Sequence, residues 1–319
     1  MANKIIKLDK NENPFLPPPY LMRNIKKAIS KINIYPTDLY DKIIKLISKK
    51  FDIPSNRIYL SNGFDEAFDL LIDRFRNKRF VLFLPTFYGF IERLNLKNKK
   101  FKIFRLDKNF NIRKKDILSI SKNDFVVLAN PNNPTGNLFN KGSLESIFKR
   151  SGKILIDETY IDFSGSDSYL KYKSEDLFIF RSFSKSYSLA GLRLGILFGP
   201  KEDIRLFRKH DKYCNINTVS LVSLYYCMRS NYNLKNAKKL NKLKGFLFKG
   251  LESNKVKVYP SLTNFLLIKD PKNSLFRKLK KKGIATRDLS CLGMKGYTRI
   301  SVGNKKEINL VLSALRKNI

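Results

Sequence analysis

One lysine lies in a segment whose side chains could carry out covalent chemistry. The segment 180–195 reads FRSFSKSYSLAGLRLG and places Lys185 among the hydroxyls of Ser182, Ser184 and Ser186, with Arg193 eight residues further on. A deprotonated lysine forms a Schiff base with a carbonyl when its site holds it partly away from water. Hydroxyls and a guanidinium suit a phosphate group. The segment predicts a lysine nucleophile beside a phosphate site, although Ser-x-Ser-Lys alone also fits a solvated surface lysine.

Three short apolar segments upstream end at polar motifs that could complete such a site. IYL at 58–60 runs into SNGFDE, FVVLA at 125–129 runs into NPNNPTG, and KILI at 153–156 runs into DETY. Ligands of open parallel sheets bind at the carboxyl ends of the strands. A strand, a glycine turn and a helix start also direct free backbone amides toward an anion. Because strands alternate with helices from 58 to 199, we expect a mostly parallel, helix-covered sheet.

The motifs at 61–66, 130–136 and 157–160 and the lysine segment, taken in this order, resemble fold-type I pyridoxal-phosphate enzymes. The similarity is greatest to the histidinol-phosphate aminotransferase branch of the class I/II aminotransferases. It runs from Asn11 in NENP to Arg299 in TRISVG, and so covers nearly the whole chain. The resemblance implies an α/β fold in which a large domain with a mostly parallel sheet is joined to a smaller α+β domain. It also implies the cofactor pyridoxal 5′-phosphate.

The resemblance implies three parts of the chain. Residues 1–34 are an N-terminal arm and part of the small domain, 35–200 are the large cofactor-binding domain, and 201–319 are connecting helices and the C-terminal small domain. NENP and the prolines at 17–19 exclude a helix interior in the arm. In the family this arm crosses the mouth of the active site and the dimer partner, although a surface lead-in also fits the sequence.

The resemblance also implies the roles of the catalytic residues. Lys185 holds the cofactor and moves a proton, Asp157 pairs with the pyridine nitrogen, and Tyr160 binds the ring oxygen beside Asn133. The remaining cofactor contacts are Gly63, Phe64, Asp65, Phe87, Ser182, Ser184, Arg193 and, from the neighbouring subunit, Tyr35. Position 64 is usually small in the family, so Phe64 retains a backbone amide but supplies no hydroxyl. Phe87 supplies a ring face without the hydrogen bond that a tyrosine would make.

The substrate-binding residues implied by the resemblance are Arg299, Arg287 and Asn13. Arg299 corresponds to the arginine that binds the substrate carboxylate, and Arg287 to one that faces the substrate phosphate. Arg299 could receive either anion, so that one pocket serves both half-reactions. Each arginine could instead pair with a surface acid, Asp157 could cap the next turn, and Phe87 could be a core aromatic.

The implied reaction is a ping-pong transamination between an amino donor and a 2-oxo acid such as 2-oxoglutarate, catalysed by a homodimer with shared sites. An aromatic-amino-acid aminotransferase or a threonine-phosphate decarboxylase on the same scaffold stays open. From other classes, a pyridoxal-binding regulator or a basic nucleic-acid-binding protein also stays open. The sequence shows no helix-turn-helix pattern, and Lys185 favours the enzyme.

The composition indicates a folded globular protein and argues against a membrane-spanning one. The 319 residues are 43% hydrophobic with 25 phenylalanines, and no apolar run approaches the roughly 18–20 residues that span a bilayer. The net charge of +37 is spread over every segment together with frequent Ile, Asn and Phe, which we interpret as compositional bias. We expect non-specific adhesion to polyanions at low salt to follow from it.

The cysteine and histidine content predicts neither a metal site nor a disulfide framework. Cys214, Cys227 and Cys291 lie far apart without metal-ligand spacing. His210, the single histidine, has no partner pattern, and we expect it to be structural or exposed. The N-terminus lacks a signal-peptide core, so the expected compartment is the cytoplasm.

Overall fold

A computed structural model describes residues 5–172, 174–209 and 214–315 of the chain. The prediction for His210 therefore lies outside the described residues. In chain order the elements are β1 (Ile6–Lys7), α1 (Pro19–Ala28), α2 (Thr37–Phe51), β2 (Ile58–Ser61), α3 (Gly63–Arg74), β3 (Arg79–Leu84), α4 (Tyr88–Leu96), β4 (Phe101–Arg105), α5 (Lys114–Leu118), β5 (Asp124–Ala129), α6 (Lys141–Arg150), β6 (Lys153–Asp157), α7 (Ile161–Ser164), β7 (Leu177–Ser182), β8 (Gly195–Phe198), α8 (Lys201–Lys209), α9 (Thr218–Met228), α10 (Tyr232–Ser253), β9 (Lys257–Tyr259), β10 (Phe265–Lys269), α11 (Ser274–Lys281), β11 (Ile284–Ala285), β12 (Arg287–Asp288), β13 (Tyr297–Ser301) and α12 (Lys305–Leu315).

The large sheet confirms the prediction of a mostly parallel, helix-covered arrangement. Its seven strands lie in the order β2-β8-β7-β6-β5-β3-β4. The pairs β3–β4, β3–β5, β5–β6 and β6–β7 are parallel. Only β8 runs against its neighbours, β2 and β7. The carboxyl ends of β5, β6 and β7 therefore meet at one edge of the sheet.

Apolar strands such as β5 arise because helices cover both faces of this sheet. Val126 and Leu128 of β5 enter one core together with residues of α1, α2, α6 and α9. Phe125 and Val127 alternate with them and enter a second core with residues of α3, α4 and α8. Successive strand side chains point to opposite faces, so a strand buried on both sides must be apolar throughout.

The two N-terminal helices differ in how closely they follow the sequence pattern. The apolar face formed by Leu39, Ile43, Ile44 and Ile47 predicts a helix ending near Phe51. The helix α2 ends at that residue, with Ile43, Ile44 and Ile47 buried. For the first helix, the amphipathic pattern of the sequence predicts the span 21–32. It begins instead at Pro19, and a 3₁₀ turn replaces the α-helix at 29–31. Proline is well tolerated in the first turn of a helix, because that turn needs no amide donor.

The C-terminal part forms a smaller antiparallel sheet in the order β12-β13-β10-β9. Residues of α10, α11 and α12 pack with this sheet in a third core. The N-terminal arm joins this part, since β1 pairs in parallel with β11 through Ile6 and Ile284. The boundaries after residues 34 and 200 stay a prediction. Within the described ranges, no helix is both long and apolar enough to cross a membrane.

Candidate active site

A cavity of about 300 Å³ lies where the carboxyl edge of the large sheet meets the N-terminal arm and the small sheet. The predicted site residues that line it are Phe64, Asp65, Phe87, Asn133, Asp157, Tyr160, Ser182, Ser184, Lys185, Arg193, Arg287 and Arg299. They come from segments as distant as α3 and β13. The fold therefore gathers most of the set into one place.

Lys185 is half-buried in this cavity, in the loop that joins β7 to β8. Its Nζ donates a hydrogen bond of 2.9 Å to the backbone carbonyl of Lys10 in the arm. Burial lowers the pKa of Lys185 to about 8, helped by the positive charges of Arg299 and Arg193 and opposed by Glu12 and Asp157. A substantial neutral fraction near neutral pH is the property that a lysine nucleophile or general base needs.

Asp157 ends β6 and is almost fully buried in the cavity wall. One carboxylate oxygen, Oδ1, accepts bonds from the Thr159 amide at 2.9 Å and the Thr159 hydroxyl at 2.5 Å. Burial raises the pKa of Asp157 to about 6 although the Thr159 bonds oppose the change. The side chain does cap the next turn, and its second oxygen, Oδ2, stays available for a cationic N–H donor.

Tyr160, Asn133 and Arg299 also line the cavity, and each makes a hydrogen bond that orients its side chain. The Tyr160 hydroxyl accepts from Asn11 Nδ2 at 2.9 Å, and burial raises the pKa of Tyr160 to about 12, so the phenol keeps its proton. Arg299 donates from Nη1 to Asn133 Oδ1 at 2.7 Å and from Nη2 to the Asp9 carbonyl at 2.5 Å. The Asn133 amino group and the phenol proton are therefore left to meet an oxygen acceptor.

The third side of the cavity is built for an anion. Gly63 begins α3 with φ at +80°, and a Cβ there would lie 2.8 Å from Nη2 of Arg193. That Nη2 lies 3.2 Å from Asp65 Oδ2 in an exposed pair. The first-turn amides of α3 have no partner within the helix. Phe64 and Asp65 of that turn line the cavity together with Ser182 and Ser184.

Phe64 lines the cavity and also joins the aromatic core. Its ring centroid lies 5.2 Å from those of Phe68, Phe90 and Phe180. It meets Phe87 edge-to-face at 6.0 Å and 82°. Phe64 therefore packs against the ring of Phe87, and position 64 offers the cavity no side-chain hydroxyl.

Three members of the predicted set do not line the cavity. Gly63 lies behind it, where the space of a side chain is taken by Arg193. Asn13 donates from Nδ2 to the Lys185 carbonyl at 3.0 Å and accepts from the Phe15 amide through Oδ1, so its polar atoms hold the arm. Tyr35 is 72% exposed, on the surface of its own chain.

Sequence reasoning left several cavity residues without a role. Asn11 and Thr159 belong to the motifs NENP and DETY, and membership of these motifs was the signal that could have identified them. Asp9 and Lys10 contribute backbone carbonyls, which no residue type announces. Tyr88, Leu289, Cys291 and Leu292 also line the cavity, and no pattern in the sequence marked them.

The residues present fit pyridoxal phosphate, the cofactor that the sequence resemblance implies. Lys185 has a carbonyl as its hydrogen-bond acceptor and no carboxylate within ion-pair distance among the described residues. Asp157 is a buried carboxylate with one oxygen to spare, which suits a protonated pyridine nitrogen. The cradle of Gly63, Arg193, Ser182 and Ser184 suits a phosphate dianion.

Comparison with known proteins agrees with this geometry. The family model for aminotransferase class I and II matches residues 3–315. A histidinol-phosphate aminotransferase of Flavobacterium psychrophilum is 33% identical over 327 residues, which cover 99% of this chain and 91% of that protein.

Two solved structures share the fold over almost the whole chain. A Burkholderia pseudomallei protein described as an aminotransferase superposes with a TM-score of 0.91 at 33% identity, covering 99% of this chain and 98% of that one. A Sinorhizobium meliloti histidinol-phosphate aminotransferase in complex with pyridoxal-5′-phosphate superposes with a TM-score of 0.86 at 17% identity, covering 98% and 91%. The chain belongs to the class I and II aminotransferases.

Proposed function

We propose that this aminotransferase transfers the amino group of L-histidinol phosphate to a 2-oxo acid such as 2-oxoglutarate, with pyridoxal phosphate as its cofactor. Relatives at about 30% identity over nearly the full chain carry the name histidinol-phosphate aminotransferase. The observation that carries the proposal is the pair of cavity arginines, Arg287 and Arg299, because this donor is a phosphate ester and the acceptor a dicarboxylate.

The arginine pair is unusual as a structural feature. Arg287 and Arg299 are direct cross-strand partners on β12 and β13, and like charges in that position repel each other. Arg287 contributes to lowering the pKa of Arg299, after burial and against the attraction of Tyr160 and Asp9. Among the described residues, no carboxylate lies within ion-pair distance of either guanidinium, and the buried Nε of Arg299 has no hydrogen-bond partner. A bound anion would satisfy both groups.

Bound pyridoxal phosphate supplies an electron sink for the electrons released when the substrate Cα loses its proton. Lys185 Nζ would hold the cofactor and, as a free amine, would accept the proton from the substrate Cα, because burial keeps a neutral fraction of the amine available. Asp157 would keep the pyridine nitrogen protonated through its uncommitted oxygen. Tyr160 and Asn133 would donate hydrogen bonds to the ring oxygen.

The experiment that tests the substrate assignment is a pair of conservative variants, Arg287→Lys and Arg299→Lys. Lysine keeps the charge but cannot form the two-pronged contact of a guanidinium. We expect Arg287→Lys to raise KM for L-histidinol phosphate roughly 10-fold or more and to leave KM for 2-oxoglutarate nearly unchanged. Arg299→Lys should raise both, because one pocket serves both half-reactions.

The matched control is Arg277→Lys. Arg277 is an exposed residue of α11, away from the cavity, and it donates to the Lys272 carbonyl. It should leave both KM values unchanged. If Arg287→Lys affects neither substrate, or if the parent protein prefers an unphosphorylated aromatic amino acid as donor, the histidinol-phosphate assignment is wrong.

Two finer features are part of the proposal. A homodimer in which Tyr35 reaches the partner's cofactor phosphate is supported by the exposure of Tyr35 beside Ile29, Ile32 and Ile34, each more than half exposed. A cytoplasmic location is supported by three free cysteines, which suit a reducing compartment. Sedimentation velocity and the pyridoxal phosphate Kd of Tyr35→Phe test the proposed homodimer. We expect a dimer and a weaker cofactor Kd in the variant. A monomer with an unchanged Kd would contradict the proposal.

A further inference from the structure

A group of charged side chains lies behind the lysine loop and outside the cavity. Arg181 is the last residue but one of β7 and is 15% exposed, while Glu158 follows Asp157 and is fully buried. Asp162 lies on α7, and Lys50 on α2 is half-buried nearby. None of the four lines the cavity. The roles proposed above leave all of them without a function.

Arg181 joins two segments through the two arms of its guanidinium. Nη1 donates to Glu158 Oε2 at 3.0 Å, and Nη2 donates to Asp162 Oδ1 at 2.9 Å. Glu158 is otherwise committed to the Ser168 hydroxyl at 2.6 Å and the Tyr169 amide at 2.7 Å. The peptide next to Asp157 is therefore tied to the strand that leads to Lys185.

Asp162 extends this tie to the residue after the lysine. Its second oxygen, Oδ2, accepts from the Ser186 hydroxyl at 2.6 Å and from Asn233 Nδ2 at 2.9 Å. Ser186 is buried, and its carbonyl accepts from Asn236 Nδ2 at 3.0 Å. The loop is thus held on its far side by a carboxylate, and that carboxylate is oriented by Arg181.

The charges in this group balance, so the tie needs no ligand of its own. Two carboxylates face Arg181, and Lys50 contributes a further positive charge that Asp162 attracts. The Lys50 ammonium itself donates to carbonyls that follow α9, including Ser230 O at 2.7 Å. Because the group is complete, its effect on the cavity is mechanical.

We propose that Arg181, Asp162 and Ser186 are positioning residues that fix Lys185 Nζ relative to the Asp157 carboxylate. The inference rests on the proposed roles of Lys185 and Asp157. The chain of bonds Glu158–Arg181–Asp162–Ser186 joins the residue after Asp157 to the residue after Lys185. A small misplacement of a reacting group costs rate without requiring loss of the fold.

The test uses Ser186→Ala, with Ser223→Ala as the matched control. Ser223 is equally buried, and its hydroxyl donates within its own helix, α9, to the Val219 carbonyl at 2.7 Å. The first readout is the single-turnover rate with L-histidinol phosphate in the cofactor-loaded protein. The second is competitive acetylation of Lys185 in the cofactor-free protein across pH, followed by mass spectrometry of the peptide that contains it.

We expect Ser186→Ala to slow the single turnover roughly 10-fold with KM changed less than about twofold, since the orientation of a bound reactant is lost and not its binding. The pH midpoint of Lys185 acetylation should rise as the amine swings toward water. Ser223→Ala should match the parent in both measurements. If Ser186→Ala matches Ser223→Ala in both, the proposal is overturned.

The acetylation comparison needs no cofactor, so it tests the positioning role even if the parent protein turns over no histidinol phosphate. Such a failure of the parent would count against the proposed function alone. Should Ser186→Ala not fold, Asn233→Ala is the second variant, because it removes the hydrogen bond that Asn233 on α10 donates to the Asp162 carboxylate. The same two readouts apply, with a smaller expected change. An Asn233→Ala protein that is unchanged in both would overturn the proposal.

Discussion

At the scale of single residues, burial in one cavity moves the pKa of two groups toward each other. It raises the pKa of Asp157 to about 6 and lowers that of Lys185 to about 8. In both cases burial, which disfavours the charged form, is the largest cause. A carboxylate kept in this environment destabilises the fold unless a cation binds beside it, so the site is arranged for its ligand.

The loss of folding stability caused by burying the ionised Asp157 carboxylate can be measured directly. Its folded pKa lies above its ordinary value of 3.8, so the folded state binds the proton more readily and the free energy of unfolding falls as pH rises from about 4 to about 6. We expect cofactor-free Asp157→Asn to be about 1–3 kcal/mol more stable than the parent at about pH 8, and to be inactive when loaded. Urea unfolding at several pH values checks this. Lower stability of the variant at high pH would contradict it.

The proposed function gives Lys185 the central chemical role, and its removal should show it. We expect Lys185→Ala to lower the transamination rate at least about 1,000-fold, since both the covalent attachment and the proton transfer depend on Nζ. Lys244 is a useful control. It is also half-buried, with its pKa lowered to about 8 by that burial, but it donates to Asn241 and the Thr263 carbonyl away from the cavity. Lys244→Ala should lose stability but keep the transamination rate per folded molecule. Full activity in Lys185→Ala would contradict the proposed role of Lys185.

At the scale of elements, β8 is where the chain departs from regular alternation. Parallel strands need a long crossover, whereas the connection from β7 to β8 holds the lysine loop and only a short 3₁₀ turn at Ala190–Leu192. β8 therefore returns antiparallel between β7 and β2. Its first residue, Gly195, lies where the Phe180 ring packs closely.

Gly195 and Gly191 make a matched pair for testing this packing. A Cβ at Gly195 would lie 2.5 Å from the buried ring of Phe180, whereas a Cβ at Gly191 would meet nothing within 4 Å. We expect Gly195→Ala to cost about 1–3 kcal/mol of unfolding free energy, because the ring has no room to move. Gly191→Ala should change it by less than about 0.5 kcal/mol. Urea denaturation measures both, and equal effects would show that the close approach is not what fixes the glycine.

The sequence predicted the elements that obey local rules. The apolar segments that form β2, β5 and β6 and the turns after them were recognisable from composition and glycine or proline placement. β4 was missed because its letters FKIFR mix basic and apolar residues, as suits an edge strand with one side half-exposed.

Other features depend on contacts between distant parts of the chain, which local patterns do not encode. The pairing of β1 with β11 and the bond from Asn11 to Tyr160 join residues more than a hundred positions apart. The motifs predicted site residues that act through their side chains, such as Lys185, Asp157 and Arg193. The carbonyls of Asp9 and Lys10 and the tie through Arg181 required the folded arrangement.

At the scale of the whole molecule, charge is the most unusual property. The chain carries 64 lysines and arginines against 27 acidic residues, and several of those acids are already in ion pairs. The positive residues are spread over all segments instead of forming a stripe, so the resulting attraction to polyanions should lack sequence preference.

This attraction should depend strongly on salt. We expect fluorescence anisotropy to show binding of short DNA duplexes at about 50 mM salt that weakens at least roughly 10-fold by about 200 mM, with equal affinity for scrambled sequences. Transamination should be unaffected by the DNA at the higher salt. Binding that survives high salt and discriminates between sequences would instead indicate a specific nucleic-acid site.

The most direct test of the central claim is the half-reaction of the purified, cofactor-loaded protein with L-histidinol phosphate. The absorption band of the bound cofactor is followed without any 2-oxo acid, and 2-oxoglutarate is then added. The account predicts rapid loss of the band and its return with 2-oxoglutarate. A band that is stable to histidinol phosphate but collapses with phenylalanine or tyrosine would contradict the assignment, and carbon dioxide release without need of a 2-oxo acid would indicate a decarboxylase.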